Sequence, residues 1–139
     1  MVKLEVVSRK VARASAWLND AEEILGSPGV AARTEVRGRD LASFYLFLTI
    51  QECIDLAAHW VSDAGWDLPD DAGASFDLLA EHGVLDRDLA TTLRGAVGLR
   101  NRIAHGYATV DHGRIHDELE SGVVALRNFL TLVSAAAGL

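Results

Sequence analysis

The residues best suited to chemistry lie close together in the last third of the chain. Arg100, Asn101 and His105 fall within six consecutive positions. A guanidinium group binds an oxyanion through parallel hydrogen bonds, and a histidine exchanges protons near neutral pH. This grouping favours proton transfer at a bound anion. A histidine at the end of a helix is also commonly a cation stabilised by the helix dipole, and spacing alone does not separate the two roles.

Arg100 stands out in the hydrophobic pattern of its own segment. On a helix, the apolar residues around it form one stripe with Arg100 at its centre. The stripe consists of Leu89, Leu93, Ala96, Val97, Ile103 and Ala104. Because an unpaired arginine is almost never buried, we predict one of two arrangements. Either Arg100 forms a structural salt bridge with Asp55 or Glu52, or it lines a cleft that is open to a ligand.

The charge around Arg100 is locally positive. Between Leu89 and Val110 there are three arginines, Arg94, Arg100 and Arg102, and no acidic residue. In a chain with 13 Lys+Arg and 20 Asp+Glu, this is a confined positive field that suits an anionic ligand. The alternative for Arg94 and Arg102 is that they are solvated surface charges.

The elements that must position these residues are helices. Apolar residues recur every three or four positions, no alternating strand pattern occurs, and 139 residues fit one domain, 1–139. The predicted helices span 4–25, 39–64, Ser75 to a stop at Gly83, Asp86 to His105, and a last stretch from Ile115. In the second of these, one face is mixed, which predicts a central position or a subunit interface. That face carries Tyr45, Leu48, Glu52, Asp55 and His59.

Composition excludes several classes of protein. A net charge of −7 disfavours non-specific binding to nucleic acids or membranes. The single cysteine, Cys53, excludes a disulfide framework and is expected in the core. Glu52, Asp55 and His59 share a helical face, but their spacing is not typical of a metal site. With no signal peptide and no uncharged apolar run of membrane length, we expect a cytoplasmic protein.

The segment from Arg100 to Tyr107 reads R-N-x-x-x-H-x-Y and resembles the signature of HEPN domains. It is most similar to the HepT toxins of HepT/MntA toxin–antitoxin pairs. The flanking segments 51–59 (QECIDLAAH), 75–85 (SFDLLAEHGVL) and 97–99 (VGL) also look like the corresponding family segments. Together the resemblance covers about residues 40–120.

The resemblance implies an all-α, antiparallel bundle of about five helices that forms a symmetric homodimer with the motifs of both subunits at one cleft. It implies a metal-independent endoribonuclease without a cofactor, in which Arg100 and His105 are catalytic and Asn101 supports them. Glu52 and Asp55 are expected to support Arg100, and Arg94 and Arg102 to bind RNA. Tyr107 matches the tyrosine to which a partner nucleotidyltransferase antitoxin attaches AMP, which blocks the toxin.

These residue types suit the implied reaction. RNA cleavage without a metal uses the ribose 2′-OH as nucleophile and leaves a 2′,3′-cyclic phosphate. The reaction needs a proton carrier, which His105 provides, and a cation on the developing phosphorane, which Arg100 provides. A second acid or base is expected from the other subunit.

Two other functions stay open at the sequence level. The chain could be a non-catalytic helical partner that binds nucleotide or substrate for a nucleotidyltransferase. Arg100 and His105 together favour the enzyme, because such an adaptor would not need both. A purely structural dimer would leave the position of Arg100 unexplained. RNA cleavage by the purified protein, with and without His105, separates these functions.

Overall fold

The computed structural model describes residues 2–28, 36–105 and 112–139, with side chains for all of these except 36 and 112–116. Over these ranges the chain forms five helices and no strand. They are α1 (Leu4–Leu25), α2 (Val36–Ala64), α3 (Ala74–Glu81), α4 (Arg87–His105) and α5 (His112–Ala136). The prediction of an all-helical bundle is therefore confirmed, with α2 beginning three residues earlier than its pattern indicated.

Helix α2 is the centre of the bundle, because it packs against each of the other four helices. It runs antiparallel to α1: the backbone N–H of Lys3 donates to Asp63 near one end, and Lys10 pairs with Glu52 further along. The core contains the edge-to-face pair Phe76 and Phe129, whose ring centres are 5.4 Å apart. The predicted central position of this helix is confirmed.

Local hydrogen bonds and backbone conformations determine the ends of the helices, and the sequence predicts only some of them. Asp86 caps α4 as predicted, since its Oδ1 accepts the backbone N–H of Leu89 at 2.7 Å. Gly83 ends the turn after α3 with a φ of +78°, where a side chain would be strained. Ser75, predicted as the cap of α3, is instead buried inside the helix. The N-cap position is occupied by Gly73, without a side-chain cap, and Oδ1 of Asp71 in the preceding turn accepts the N–H of Ala74 at 2.8 Å.

The buried stripe of α4 differs from the one that the sequence predicts. It consists of Leu89, Ala90, Leu93, Ala96, Leu99 and Ile103. Leu99 occupies the place predicted for Arg100, which is half-buried at the edge of the stripe, and Ala104 is exposed. The difference arises from packing against a neighbouring helix. The C-terminal half of α4 packs on α5, where Leu99 lies against Gly122. The buried face of this half of α4 therefore contains Leu99, the residue before Arg100, in the place where the sequence pattern put Arg100.

Glu52 joins α1 to α2 and does not support Arg100. Its carboxylate is buried, 3.1 Å from Lys10 Nζ and 3.5 Å from Arg13 Nη1. The expectation that Glu52 pairs with Arg100 is wrong, because this residue lies on the side of α2 that faces α1. A buried carboxylate between two cations holds the two helices in one relative position, since loss of a partner would leave a buried charge unpaired.

Two helical segments, Arg37–Ala64 and Asp117–Ala136, are long and apolar enough to cross a membrane by length and composition alone. In the bundle, 56% and 44% of their most apolar windows are buried. Because the core helices of a folded bundle pass the same test, these segments are weak evidence for a membrane protein.

Candidate functional site

Arg100 is held between α4 and α2 by two neutral amides. Its Nη1 donates to Oε1 of Gln51 at 3.1 Å. Its Nε and Nη2 donate to Oδ1 of Asn101 at 3.2 and 2.8 Å. These bonds use three of the five N–H groups of the guanidinium. The guanidinium is therefore fixed in place, and among the described residues no carboxylate forms a salt bridge with it.

Gln51, which binds Arg100, is not among the site residues that the sequence predicts. It lies one position before Glu52, so it points about 100° away from it around the helix, toward α4 instead of α1. Asp55 shares the side of α2 on which Gln51 lies, but it is exposed and the bonds of Arg100 go to Gln51 and Asn101. The predicted salt bridge to Asp55 is therefore not formed. A signal was available, because Gln51 opens the family-like segment 51–59.

His105 lies at the exposed end of α4. Asn101 is one helical turn before it, on the same side of the helix, and is also the residue bonded to Arg100. Asn101, the amide that orients Arg100, is therefore the member of the motif that lies on the same side of α4 as His105, and both Asn101 and His105 are exposed. Tyr107, the predicted modification site, lies outside the described residues.

Arg94 is not a free cation. Its Nε donates to Oδ2 of Asp77 at 3.2 Å, its Nη2 bonds the same oxygen, and its Nη1 lies 3.4 Å from Oδ1 of Asp71. The hydrogen bond to Asp77 raises the pKa of the Arg94 guanidinium. Asp77 also pairs with Arg87 at 3.5 Å. Since its charge is balanced within the fold, Arg94 is a weaker candidate for binding RNA than its residue type suggested.

Arg102 lies on another side of α4. Its Nη2 donates to Oε2 of Glu118 on α5 at 2.8 Å. It faces a groove of about 400 Å³ between α4 and α5 that also contains Leu99 and Gly122. A neighbouring groove of about 480 Å³ continues between the same helices. Arg102 therefore does not share a cavity with Arg100, and the positive field that the sequence predicts is reduced by carboxylates from other elements.

A polar cavity of about 340 Å³ opens beside Arg100. One wall is α4 and the opposite wall is the loop before α3. Its lining consists of Asp71, Ala72, Gly73, Arg94, Val97, Arg100 and Asn101. A cavity of this size, with convergent polar groups, lies within the range of small-ligand sites. It is the concave surface that the guanidinium of Arg100 reaches directly.

The remaining candidates have structural roles or lie apart. Burial raises the pKa of the Cys53 thiol, so the thiol stays protonated and is not a nucleophile. Among the described residues, no group of three His, Cys, Asp or Glu side chains has the arrangement of a metal site. Trp60 is buried, and Trp66 stacks on His82 with ring centres 3.6 Å apart.

Sequence comparison finds a family of ribonucleases. The family model described as "Ribonuclease HepT-like" matches residues 18–133. A provisionally assigned RNase of Archaeoglobus fulgidus is 34% identical over 91 residues, which are 65% of this chain and 68% of that protein. The mRNA nuclease HepT of Shewanella oneidensis is 21% identical over 131 residues, covering 94% of this chain and 98% of that protein.

Solved structures share the fold over nearly the whole chain. The tri-AMPylated HEPN toxin of Shewanella oneidensis, solved in complex with an MNT antitoxin, has a TM-score of 0.83 at 22% identity and covers 94% of this chain and 97% of its own. A cytosolic protein of unknown function from Bacillus subtilis, YutE, has a TM-score of 0.75 at 14% identity, covering 93% of this chain and 89% of its own. At these identities the likeness shows the helical fold.

Proposed function

The chain belongs to the HepT-like ribonuclease family, and we propose that it is a metal-independent endoribonuclease with Arg100 and His105 as its catalytic residues. The observation that carries the proposal is the state of Arg100. It is fixed by Gln51 and Asn101, which are both neutral. Arg94 and Arg102, by contrast, are paired with carboxylates. Within the described parts of the chain, Arg100 therefore keeps a positive charge that no carboxylate pairs with and that is available to a phosphate.

The proposed reaction is a transesterification within the RNA. The ribose 2′-oxygen attacks the adjacent phosphorus, its proton passes to a general base, and the bond from phosphorus to the 5′-oxygen breaks. The leaving 5′-oxygen takes a proton from a general acid, which leaves a 2′,3′-cyclic phosphate. Arg100 stabilises the negative charge of the phosphorane. His105, at the exposed edge next to Asn101, serves as one of the two proton carriers.

A second copy of the chain supplies the other proton carrier. One stripe of α2 has the spacing of a packing surface yet is largely open: Leu41 is 46% and Phe44 53% exposed, and the stripe continues through Leu48 to Gln51. Large exposed apolar residues in a row mark an interaction surface. A two-fold contact along this stripe brings two copies of Arg100 to one cleft, because Gln51 at its end binds the guanidinium.

Light scattering tests the dimer. We expect the mass of two chains at micromolar concentration, and Phe44→Lys should shift the protein toward monomer because it places a charge in the apolar contact. Val124→Lys is the matched control, since Val124 is also exposed but lies on α5. A wild-type monomer at these concentrations would contradict the shared cleft.

The activity is tested with purified protein and a single-stranded RNA. Wild-type protein should cleave in the presence of EDTA and leave cyclic phosphate ends. His105→Ala should lower the rate by about 10²–10⁴-fold, and Arg100→Ala by about 10²–10³-fold, with unchanged helical content by circular dichroism. Arg100→Lys should restore little activity, because a point charge does not form a bidentate contact. Activity that requires an added metal ion would contradict the mechanism.

Replacement of Gln51 tests whether RNA binding depends on having a neutral side chain, and not a carboxylate, next to Arg100. Gln51→Glu places a negative charge 3.1 Å from Nη1 of Arg100, so RNA affinity should fall. The slope of log Kd against log salt should decrease by about 0.7, the contribution of one phosphate contact on single strands. Gln51→Leu, the neutral control, removes the hydrogen bond but keeps the free charge, and should preserve that slope. Equal slopes for the two variants would show that only the position of Arg100 matters.

We further propose that the protein is the toxin of a cytoplasmic toxin–antitoxin pair, controlled by a nucleotidyltransferase antitoxin that attaches AMP to Tyr107. Support comes from the related toxin of known structure, which is AMPylated and bound to an MNT antitoxin. Tyr107 is two residues beyond His105, where an added phosphate would lie near the catalytic edge. The modification would block the site and neutralise its positive charge.

Tyr107→Phe tests this control. The variant should keep most of its nuclease activity, because the hydroxyl is not a proton carrier in the proposed reaction, but it should escape silencing by a co-expressed antitoxin. Mass spectrometry should detect added AMP on the wild type and none on the variant, with Tyr45→Phe as a control that is still modified. Continued modification or silencing of Tyr107→Phe would place the control elsewhere.

A further inference from the structure

The polar cavity beside Arg100 holds a carboxylate that the proposed reaction does not use. Asp71 lies on the loop before α3, across the cavity from Arg100 and Asn101 on α4. A carboxylate in a site for a polyanion is unfavourable unless it recognises something other than phosphate. An ionised carboxylate only accepts hydrogen bonds, so it would bind a part of the RNA chain that carries N–H donors.

Asp71 is fixed in position and keeps one oxygen available. Its Oδ1 accepts the N–H of Ala74, the first residue of α3, at 2.8 Å and lies 3.4 Å from Nη1 of Arg94. Its Oδ2 accepts no bond from the described residues, and the side chain is 60% exposed. The carboxylate is thus a rigid acceptor whose free oxygen is open to a ligand.

Arg94 and Gly73 fix the wall on which Asp71 lies. The side chain of Arg94 runs across Gly73 so closely that a Cβ at this position would be 3.0 Å from Nη1 and 3.1 Å from Cγ. A larger residue here would require the side chain of Arg94 to shift by a few tenths of an ångström, so glycine suits this close approach of the loop to α4. Arg94 is held from the other side by Asp77. These contacts fix the wall of the cavity before any ligand binds. The charge of Arg94 is used in ion pairs within this wall.

The charge balance still admits an RNA strand. Arg87, Arg94 and Arg100 stand against Asp71 and Asp77 in this cluster, which gives 3 − 2 = +1. The excess positive charge belongs to Arg100, where the phosphate binds. The charge of Asp71 at the negative end of the cavity is offset by Arg94, so this end is suited to a ligand group that carries N–H donors.

We propose that this cavity is a base-binding subsite in which Asp71 selects a nucleobase with an exocyclic amino group over uracil; the inference rests on the proposed ribonuclease function. Adenine, cytosine and guanine present amino donors at their base edges. Uracil presents carbonyl oxygens on both sides of its single N–H, and these repel a carboxylate. Unpaired RNA bases are commonly read by such hydrogen bonds to their edges.

The matched probes are cytidine and uridine decamers, because both are single-stranded pyrimidine chains whose bases differ in the amino and carbonyl groups. The protein is the full-length His105→Ala variant, which binds without cleaving, and affinity is read by fluorescence anisotropy. We expect the cytidine decamer to bind about tenfold more tightly than the uridine decamer, the factor for one hydrogen bond to a charged group. Adding Asp71→Asn should bring the ratio close to one.

Asp70→Asn is the control, because it removes the same charge from an exposed neighbour that does not line the cavity. Asp70→Asn should tighten binding of both decamers slightly and leave their ratio unchanged. Asp71→Asn should weaken binding of the cytidine decamer relative to the uridine decamer, because it removes the acceptor for the amino group. In Asp71→Asn an amide oxygen still accepts the N–H of Ala74, so this hydrogen bond before α3 is preserved, and thermal melting verifies the fold.

The outcomes separate the two proposals. Tight binding with equal affinities for the two decamers, or a preference that survives Asp71→Asn, overturns the subsite and leaves the ribonuclease proposal standing. If neither decamer binds although Arg100 is intact, the ribonuclease proposal fails, and the subsite fails with it.

Discussion

The structure depends on one constraint: a half-buried guanidinium must be held firmly without a carboxylate. A salt bridge would orient Arg100 equally well, but it would cancel the charge that the proposed binding of a phosphate uses. Gln51 and Asn101 satisfy the donors of the guanidinium with neutral oxygens instead. Because two of the amide contacts come from Asn101 on the same helix, only the contact to Gln51 requires a second helix to be placed accurately.

That placement comes from the packing of α2. The buried carboxylate of Glu52, paired with Lys10 and Arg13, fixes α2 against α1. Gln51, the adjacent residue, then faces α4. The two neighbours therefore have different roles. Glu52, the charged residue, forms its ion pairs in the bundle interior, and Gln51, the neutral residue, faces Arg100. Exchanging their identities would place a negative charge beside Arg100 and leave Lys10 without its partner.

Much of the fold could be read from the sequence because periodicity and capping are local. The helix limits, the cap at Asp86 and the stop at Gly83 depend on residues within one or two turns. The errors concern partners that only tertiary packing decides. Glu52 and Gln51 differ by one position, and Arg94 and Arg102 find their carboxylates 17 and 16 residues away on α3 and α5. Helical spacing places Arg100 near the core but does not reveal that Leu99 takes the central place.

The same electrostatic arrangement explains how a chain of net charge −7 can act on RNA. Arg94 and Arg102 are paired with carboxylates within the fold, so of the three arginines of α4 beyond its first turn, Arg100 is the one proposed to attract the RNA. An enzyme built this way binds a polyanion at one point and is sensitive to any anion placed there. Under the proposed control by AMPylation, the AMP group on Tyr107 would be such an anion. Inhibition by covalent attachment of a phosphate would then use the same feature that makes Arg100 a candidate for binding RNA, a guanidinium bonded by the neutral side chains of Gln51 and Asn101.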